Sequence, residues 1–303
     1  MRALEPIAGV ESFCGEGVLW DFRRNRVLWT DPPCNRVYQL DPSTGKVSVL
    51  CHGLRVSGIA LQRKDQLILS GARGLHLWGP SSSSRVRLSE HQGEALFLGQ
   101  VVADPWGGVY AGSTYWGGDG WDSRMEKYGK LYRIAPDGTV RILDEGLELS
   151  NGMAFSPDDR TFYFTDFAAR RVYACDVSPR SGELSNKRTF VRVPRDEGCP
   201  GQLAVDREGF VWTPQWYGAQ VVRYDPEGRV ERRIGIPAQQ VSGLAFGGDD
   251  LAQLYVATAR QTWTSDLAPP GYEGRSTDAG GPLYRIELDV PGRPPYVADL
   301  PWE

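Results

Sequence analysis

Residues 152–176 read GMAFSPDDRTFYFTDFAARRVYACD. Three short apolar runs lie in this stretch: Gly152-Met153-Ala154-Phe155, Thr161-Phe162-Tyr163-Phe164 and Arg171-Val172-Tyr173-Ala174-Cys175-Asp176. Each is rich in aromatic or β-branched residues, and Pro157-Asp158-Asp159 separates the first two. Runs of this length bounded by turn formers read as antiparallel strands. The pattern recurs along the chain. Gly17-Val18-Leu19-Trp20 precedes Val27-Leu28-Trp29-Thr30 and Arg36-Val37-Tyr38-Gln39-Leu40. Leu203-Ala204-Val205 precedes Phe210-Val211-Trp212 and Val221-Val222-Arg223-Tyr224, and Gly243-Leu244-Ala245-Phe246 precedes Gln253-Leu254-Tyr255-Val256 and Leu283-Tyr284-Arg285-Ile286. Gly108-Val109-Tyr110-Ala111-Gly112 leads to Leu131-Tyr132-Arg133-Ile134, and a weaker copy joins Gln66-Leu67-Ile68-Leu69 to Gly74-Leu75-His76-Leu77-Trp78.

These copies recur at roughly 40–53 residues, the length of a propeller blade. The expected fold is therefore all-β: a six-bladed β-propeller occupying residues 1–303 as a single domain. A β-sandwich would account for short strands but not for a blade-length repeat. Alternation with period two predicts half-buried strands. The acidic turns, such as Asp206-Arg207-Glu208-Gly209, are read as turn geometry, because Asp and Gly supply the backbone angles that tight turns need.

Bulk composition agrees with a globular chain. Of 303 residues 41% are hydrophobic and 24% charged, and the net charge of −4 is spread without a basic stripe. Nucleic acid and anionic membranes are therefore not expected partners. Residues 1–9 lack the apolar core of a signal peptide, and no run reaches the ~20 residues of a membrane span. A cytoplasmic location is expected. The five cysteines are an odd number without a CxxC pair, so neither a disulfide framework nor structural zinc is expected. Ten Trp and thirteen Tyr stand against three His. Histidine-centred chemistry is not the natural reading.

In a propeller, the residues just before each innermost strand converge on one mouth of the central channel. Here those positions hold Glu16, Gly99 and Gln100, Asn151, Gly201 and Gln202, and Ser242. The segments Gly15-Glu16-Gly17-x-x-Trp20-Asp21, Leu149-Ser150-Asn151-Gly152-Met153-Ala154-Phe155-Ser156-Pro157-Asp158 and Phe246-Gly247-Gly248-x-x-Leu251-x-x-Leu254-Tyr255-Val256 resemble the senescence marker protein/gluconolactonase/luciferin-regenerating enzyme family. The resemblance runs from about Glu11 to Leu288. It implies a six-bladed propeller, a divalent metal (calcium, zinc, magnesium or manganese) at the mouth, and hydrolysis of a lactone or related ester. On this resemblance Glu16 and Asn151 are metal ligands, and oxygen donors of this kind suit hard cations.

The chain also departs from the family. Gly201 stands where the family aspartate, a metal ligand and candidate base, would be. Gly99 and Gln100 replace an Asn-Asp pair, and Phe97 replaces a sugar-binding arginine. A shifted loop would bring Glu197 or Asp196 into the vacant role, and Glu126 is the other candidate acid/base. Cys14 and Cys199, each two residues before a family ligand position, are expected to be buried and unreactive. Residues 114–128 are glycine-rich and polar, and are expected as a loop near the mouth. Trp116 and Trp121 of that loop, with Trp216 and Trp263, form the expected wall of a site for an aromatic or apolar small molecule, and Gln100 and Gln202 are its expected polar contacts. Besides the hydrolase, two readings stay open: a non-hydrolytic cyclisation or isomerisation of a hydrophobic specialised-metabolism intermediate, and a non-catalytic ligand-binding propeller.

Overall fold

The computed structural model describes residues 4–7, 9–79, 82–113, 129–260, 266–274 and 280–302. Six antiparallel sheets surround a channel. Blade 1 is Glu16–Asp21, Arg26–Asp31, Arg36–Asp41 and Lys46–His52, from the channel outward. Blade 2 is Val56–Gln62, Gln66–Gly71, Gly74–Gly79 and Ser82–Leu88. Blade 3 is Leu98–Ala103, Val109–Ser113, Gly129–Ile134 and Val140–Leu147, and blade 4 is Ser150–Phe155, Thr161–Asp166, Arg171–Val177 and Leu184–Arg192. Blade 5 begins with two short pieces, Cys199–Pro200 and Ala204–Val205, followed by Val211–Trp216, Gln220–Tyr224 and Val230–Gly235. Blade 6 takes three strands from the C-terminal half, Val241–Gly247, Gln253–Thr258 and Leu283–Glu287. Its outer strand, Leu4–Ile7, comes from the opposite end of the chain and closes the ring.

The burial of the middle strands corrects the half-buried expectation. Every residue of Arg26–Asp31 is buried. A blade is covered on both faces by its neighbours, so alternate side chains enter different interfaces rather than core and solvent. Val27 and Trp29 pack with Tyr255 of blade 6, whereas Leu28 packs with Ile59 and Trp78 of blade 2. Each of the six junctions between blades holds one such cluster. Outer strands such as Leu184–Arg192 turn most of their residues to solvent.

Buried arginines tie the far ends of three blades. Asp21 pairs with Arg26, Asp104 with Arg133 and Asp206 with Arg223, all with side chains under a tenth exposed. Asp206 also accepts the N–H groups of Glu208 and Phe210, so the acidic turn is held by its own aspartate. The C-terminal segment crosses this end of the channel. Gly292 bridges to Asp206 of blade 5, and Arg293 donates to the Ser156 carbonyl of blade 4. Asp299 N–H reaches Gly107 of blade 3, and Val297–Ala298 runs parallel to the innermost strand of blade 2. Among the described residues no helix is long and apolar enough to cross a membrane.

Near the mouth the innermost strands approach so closely that glycine is required. A Cβ on Gly152 would lie 2.4 Å from the Gly201 carbonyl oxygen and 2.6 Å from Leu203 N. Gly152→Ala is expected to destabilise the protein by about 2–3 kcal/mol through this overlap. Gly235→Ala, with no atom within 4 Å of the added carbon, is the neutral control. Urea unfolding of both variants checks the difference.

Candidate active site at the channel mouth

The innermost strands of five blades lose register at the same place. The shifts fall between Glu16 and Leu19, Val56 and Gly58, Leu98 and Val101, Ser150 and Met153, and Val241 and Gly243. In blade 5 the strand is interrupted between Pro200 and Ala204. Bulges of this kind re-aim side chains and mark functional rims. Each blade presents two residues there: Glu16-Gly17, Ser57-Gly58, Gly99-Gln100, Asn151-Gly152, Gly201-Gln202 and Ser242-Gly243. In blades 1, 2, 4 and 6 a polar residue precedes glycine. In blades 3 and 5 the order is reversed, so the position that carries Glu16 and Asn151 elsewhere has no side chain.

The two glutamines of the reversed pairs turn inward to main chain. Gln202 Nε2 donates to Val18 O at 2.8 Å, and its Oε1 accepts from Val18 N at 3.1 Å. This link joins blade 5 to blade 1 past Gly243 of blade 6, where a Cβ would stand 2.9 Å from the Gln202 oxygen. Gln100 Nε2 donates to the Ser57 carbonyl of blade 2 at 2.9 Å. Below them lies a cavity of about 140 Å³, lined by Val18, Val101, Met153 and Leu244 and floored by residues 293–296.

Glu16 and Asn151 belong to blades that face each other across the ring. Their approach segments are held in the same way. Asp31, ending the second strand of blade 1, accepts the N–H groups of Phe13 at 2.9 Å and Cys14 at 3.1 Å. Asp166, at the equivalent point of blade 4, accepts those of Glu148 at 3.1 Å and Leu149 at 3.0 Å. These clamps escaped the sequence reading, although the repeated Thr30-Asp31 and Thr165-Asp166 were there to find them. Cys14 Sγ donates to Glu16 Oε1 at 3.5 Å. Burial pushes the Glu16 carboxyl up to about 7, with Asp31 adding to the rise and the Cys14 hydrogen bond and Arg55 opposing it. Burial, then the nearby Glu16 charge, pushes the Cys14 thiol well above its ordinary value. All five cysteines are free thiols, and Cys14 and Cys199 are buried.

An apolar cluster roofs part of the mouth. It contains Cys14, Leu149, Phe167, Cys199, Trp216 and Tyr217, packed against Leu267 and Tyr272. Residues 266–274 are fastened there by Arg170, which donates to the Leu267 carbonyl, and by Gln240, whose amide reaches Tyr272 Oη at 3.2 Å. The rings of Tyr217 and Tyr272 meet at 4.6 Å. Trp216 is thus in the mouth wall but largely buried. Glu197 is engaged elsewhere: it sits in the short turn Arg195–Glu197 and receives Arg233 Nη2 at 2.7 Å. Glu126, Trp116, Trp121 and Trp263 lie outside the described residues.

Among the described residues the side-chain donors do not make up the set of a tightly held divalent cation. Among the described residues no three His, Cys, Asp or Glu converge. Glu16 supplies one carboxylate and Asn151 one carboxamide, whereas calcium gathers about six to eight oxygens, so most of the set would have to be main-chain carbonyls or water. Gly201 supplies no side chain, and a Cβ there would lie 2.6 Å from the Ser242 carbonyl oxygen.

The chain belongs to the SMP-30/Gluconolactonase/LRE-like family, whose model matches residues 14–260. It is 32% identical to pentonolactonase XacC of Haloferax volcanii, over 96% of this chain and 97% of that protein. Its fold superposes on a luciferin-regenerating enzyme with a TM-score of 0.87 at 24% identity, covering 98% of this chain and 99% of the other. A calcium-binding regucalcin from Agrobacterium tumefaciens gives 0.80 at 21% identity, covering 97% of each. These two likenesses speak for the fold alone.

The raised Glu16 carboxyl has a consequence for stability. In metal-free protein the folded state holds this proton at pH values where the unfolded chain, with its carboxyl near 4.5, has released it. Stability therefore falls as pH rises from about 4.5 toward 7, and the penalty is fully present above that. Glu16→Gln removes it. Thermal melts in chelator are expected to show the variant more stable than wild type near about pH 8, with the gap closing toward about pH 4.

Proposed function

We propose that the protein is a lactone hydrolase of the gluconolactonase type working from the channel mouth. The observation that carries this reading is the placement of Glu16, a carboxylate at the bulge of blade 1, facing the blade that bears Asn151. Support comes from the 32% identical pentonolactonase, which is matched along nearly its whole length.

The chemistry follows from these groups. Glu16 takes a proton from water as the water oxygen adds to the lactone carbonyl carbon. The Asn151 carboxamide is a donor for the oxygen that becomes negative in the tetrahedral intermediate. Collapse breaks the ring C–O bond, and the leaving oxygen takes the proton back from Glu16. The product is the open hydroxy acid. A carboxyl shifted toward 7 is suited to both transfers at neutral pH. Metal dependence is a separate part of the proposal. With Gly201 in place of an aspartate, no step is assigned to a cation.

The test is lactone hydrolysis followed by acid release. Wild type is expected to turn over a lactone substrate, with Glu16→Gln slower by about 100-fold or more and Asn151→Ala by about tenfold or more. Turnover is expected to persist in chelator. Loss in chelator with recovery on adding calcium, zinc or manganese would instead place a cation at the centre. Absence of lactone turnover under every metal condition would overturn the hydrolase reading.

A further inference from the structure

At the level of the mouth, a hydroxyl on the second strand ties blades 2 and 4 to the blade that follows. Thr165 of blade 4 accepts from Gly152 N–H at 2.6 Å and donates to the Gly201 carbonyl of blade 5 at 3.2 Å. Ser70 of blade 2 donates to the Gly99 carbonyl of blade 3. Gly201 and Gly99 each open the mouth pair of the next blade. Thr30 holds the same place in blade 1. It precedes Asp31 as Thr165 precedes Asp166, and it lies opposite Glu16 in the strand register. Yet its hydroxyl is buried and has no hydrogen-bond partner among the described residues. The carbonyl it would reach in blade 2, that of Ser57, receives Gln100 Nε2.

The adjoining backbone differs at the same point. Gly17 has φ +57°, whereas Gly58, Gly152 and Gly243 have no positive φ. Of Thr30, the methyl stands nearest to Gly17: a Cβ on that glycine would lie 3.2 Å from Thr30 Cγ2. In blade 4 the corresponding glycine meets the threonine hydroxyl instead. Glycine enters the left-handed region about as readily as the right-handed one, so both arrangements are open to Gly17. Gln202 holds Val18 by its N–H and its carbonyl, which confines a change to the Glu16-Gly17 unit.

We infer that Thr30 is a positioning residue for Glu16, and that blade 1 adopts the blade 4 tie when a lactone engages the mouth. Thr30 then turns about its Cα–Cβ bond, and its hydroxyl accepts from Gly17 N–H. The Glu16 carboxylate, which here accepts from Cys14 Sγ at 3.5 Å, is re-aimed with that peptide unit. A buried hydroxyl without a partner is costly, and the turn removes that cost. The lactone supplies the remaining preference by binding the turned arrangement more tightly. The part Thr30 plays in turnover rests on the hydrolase reading; its rotation does not.

Two measurements keep these apart. The first follows the Thr30 and Thr165 methyl groups by NMR as D-gluconolactam or γ-butyrolactam is added. Thr30 is expected to change its χ1 rotamer and Thr165 to keep its own. The second compares Thr30→Val, Thr30→Ser and Thr165→Val in thermal melts and in lactone turnover. Thr165→Val is expected to melt lower by about 2–4 °C or more, because its bonds to both blades are lost. Thr30→Val should melt at or above wild type, since a methyl replaces a hydroxyl that has no partner. Its kcat/KM should nonetheless fall by about three- to tenfold, the worth of one hydrogen bond made only in the turned arrangement. Thr30→Ser should restore it. Lactone turnover that Thr30→Val leaves at the wild-type kcat/KM would overturn the inference while the hydrolase reading stands. A Thr30 methyl unmoved by both lactams, or Thr30→Val melting as low as Thr165→Val, would overturn it as well. A turning methyl in a protein that opens no lactone would instead overturn the hydrolase reading and leave the rotation standing.

Discussion

The close approach of the innermost strands at one end of the channel is the constraint on which the rest of the structure depends. Six sheets can meet around a narrow axis only where their main chains come nearly into contact. Gly17, Gly58, Gly152, Gly201 and Gly243 make this contact, each where an added carbon would meet the neighbouring blade. The bulges arise at the same level, and they place Glu16, Asn151 and Ser242 at the mouth. A packing requirement and a functional rim thus share the same residues. The blade interfaces complete the arrangement: Trp29, Trp212 and Tyr255 fill the junctions that the strands open as they diverge outward.

The reversed Gly-Gln pairs show how this constraint limits chemistry. Moving the side chain by one residue along a strand changes the direction in which it points. In blades 3 and 5 the side chain has moved one place down the strand, and Gln100 and Gln202 now reach neighbouring backbones. The mouth loses two polar side chains and gains two internal ties. The Gln202 amide, satisfied at both ends, stabilises the inner strands, whereas a lone carboxylate in that position would need a partner.

The fold was legible because the three-strand repeat is strong in blades 1, 4, 5 and 6, where aromatic and β-branched runs are bounded by Asp-Pro or Gly turns. Glu16, Asn151, Gly99, Gln100, Gly201 and Gln202 are legible as mouth residues because their distance from each inner strand is constant. The tie that Gln202 makes to the Val18 main chain is not legible, because its partner lies 184 positions away. Nor are Asp31 and Asp166, which look like ordinary strand ends until their bonds to the approach segments are seen. The two-sided burial of Arg26–Asp31 was hidden for a similar reason: alternation in sequence cannot distinguish two protein neighbours from a core and a solvent face. Residues 266–274 were passed over because Pro269 and Pro270 give no strand pattern, yet Leu267 and Tyr272 anchor them on the roof.

The ring is fastened by its two ends. Glu5 meets Arg285 across 280 residues of chain, and Leu300 meets Gln62 across 238. During synthesis the first strand must wait, unpaired, for nearly the last one. An emerging chain therefore spends most of its translation time as an open arc of blades with a bare edge at each side, and bare edges invite pairing with other chains. Until Leu4–Ile7 pairs with Leu283–Glu287, the ring has not closed.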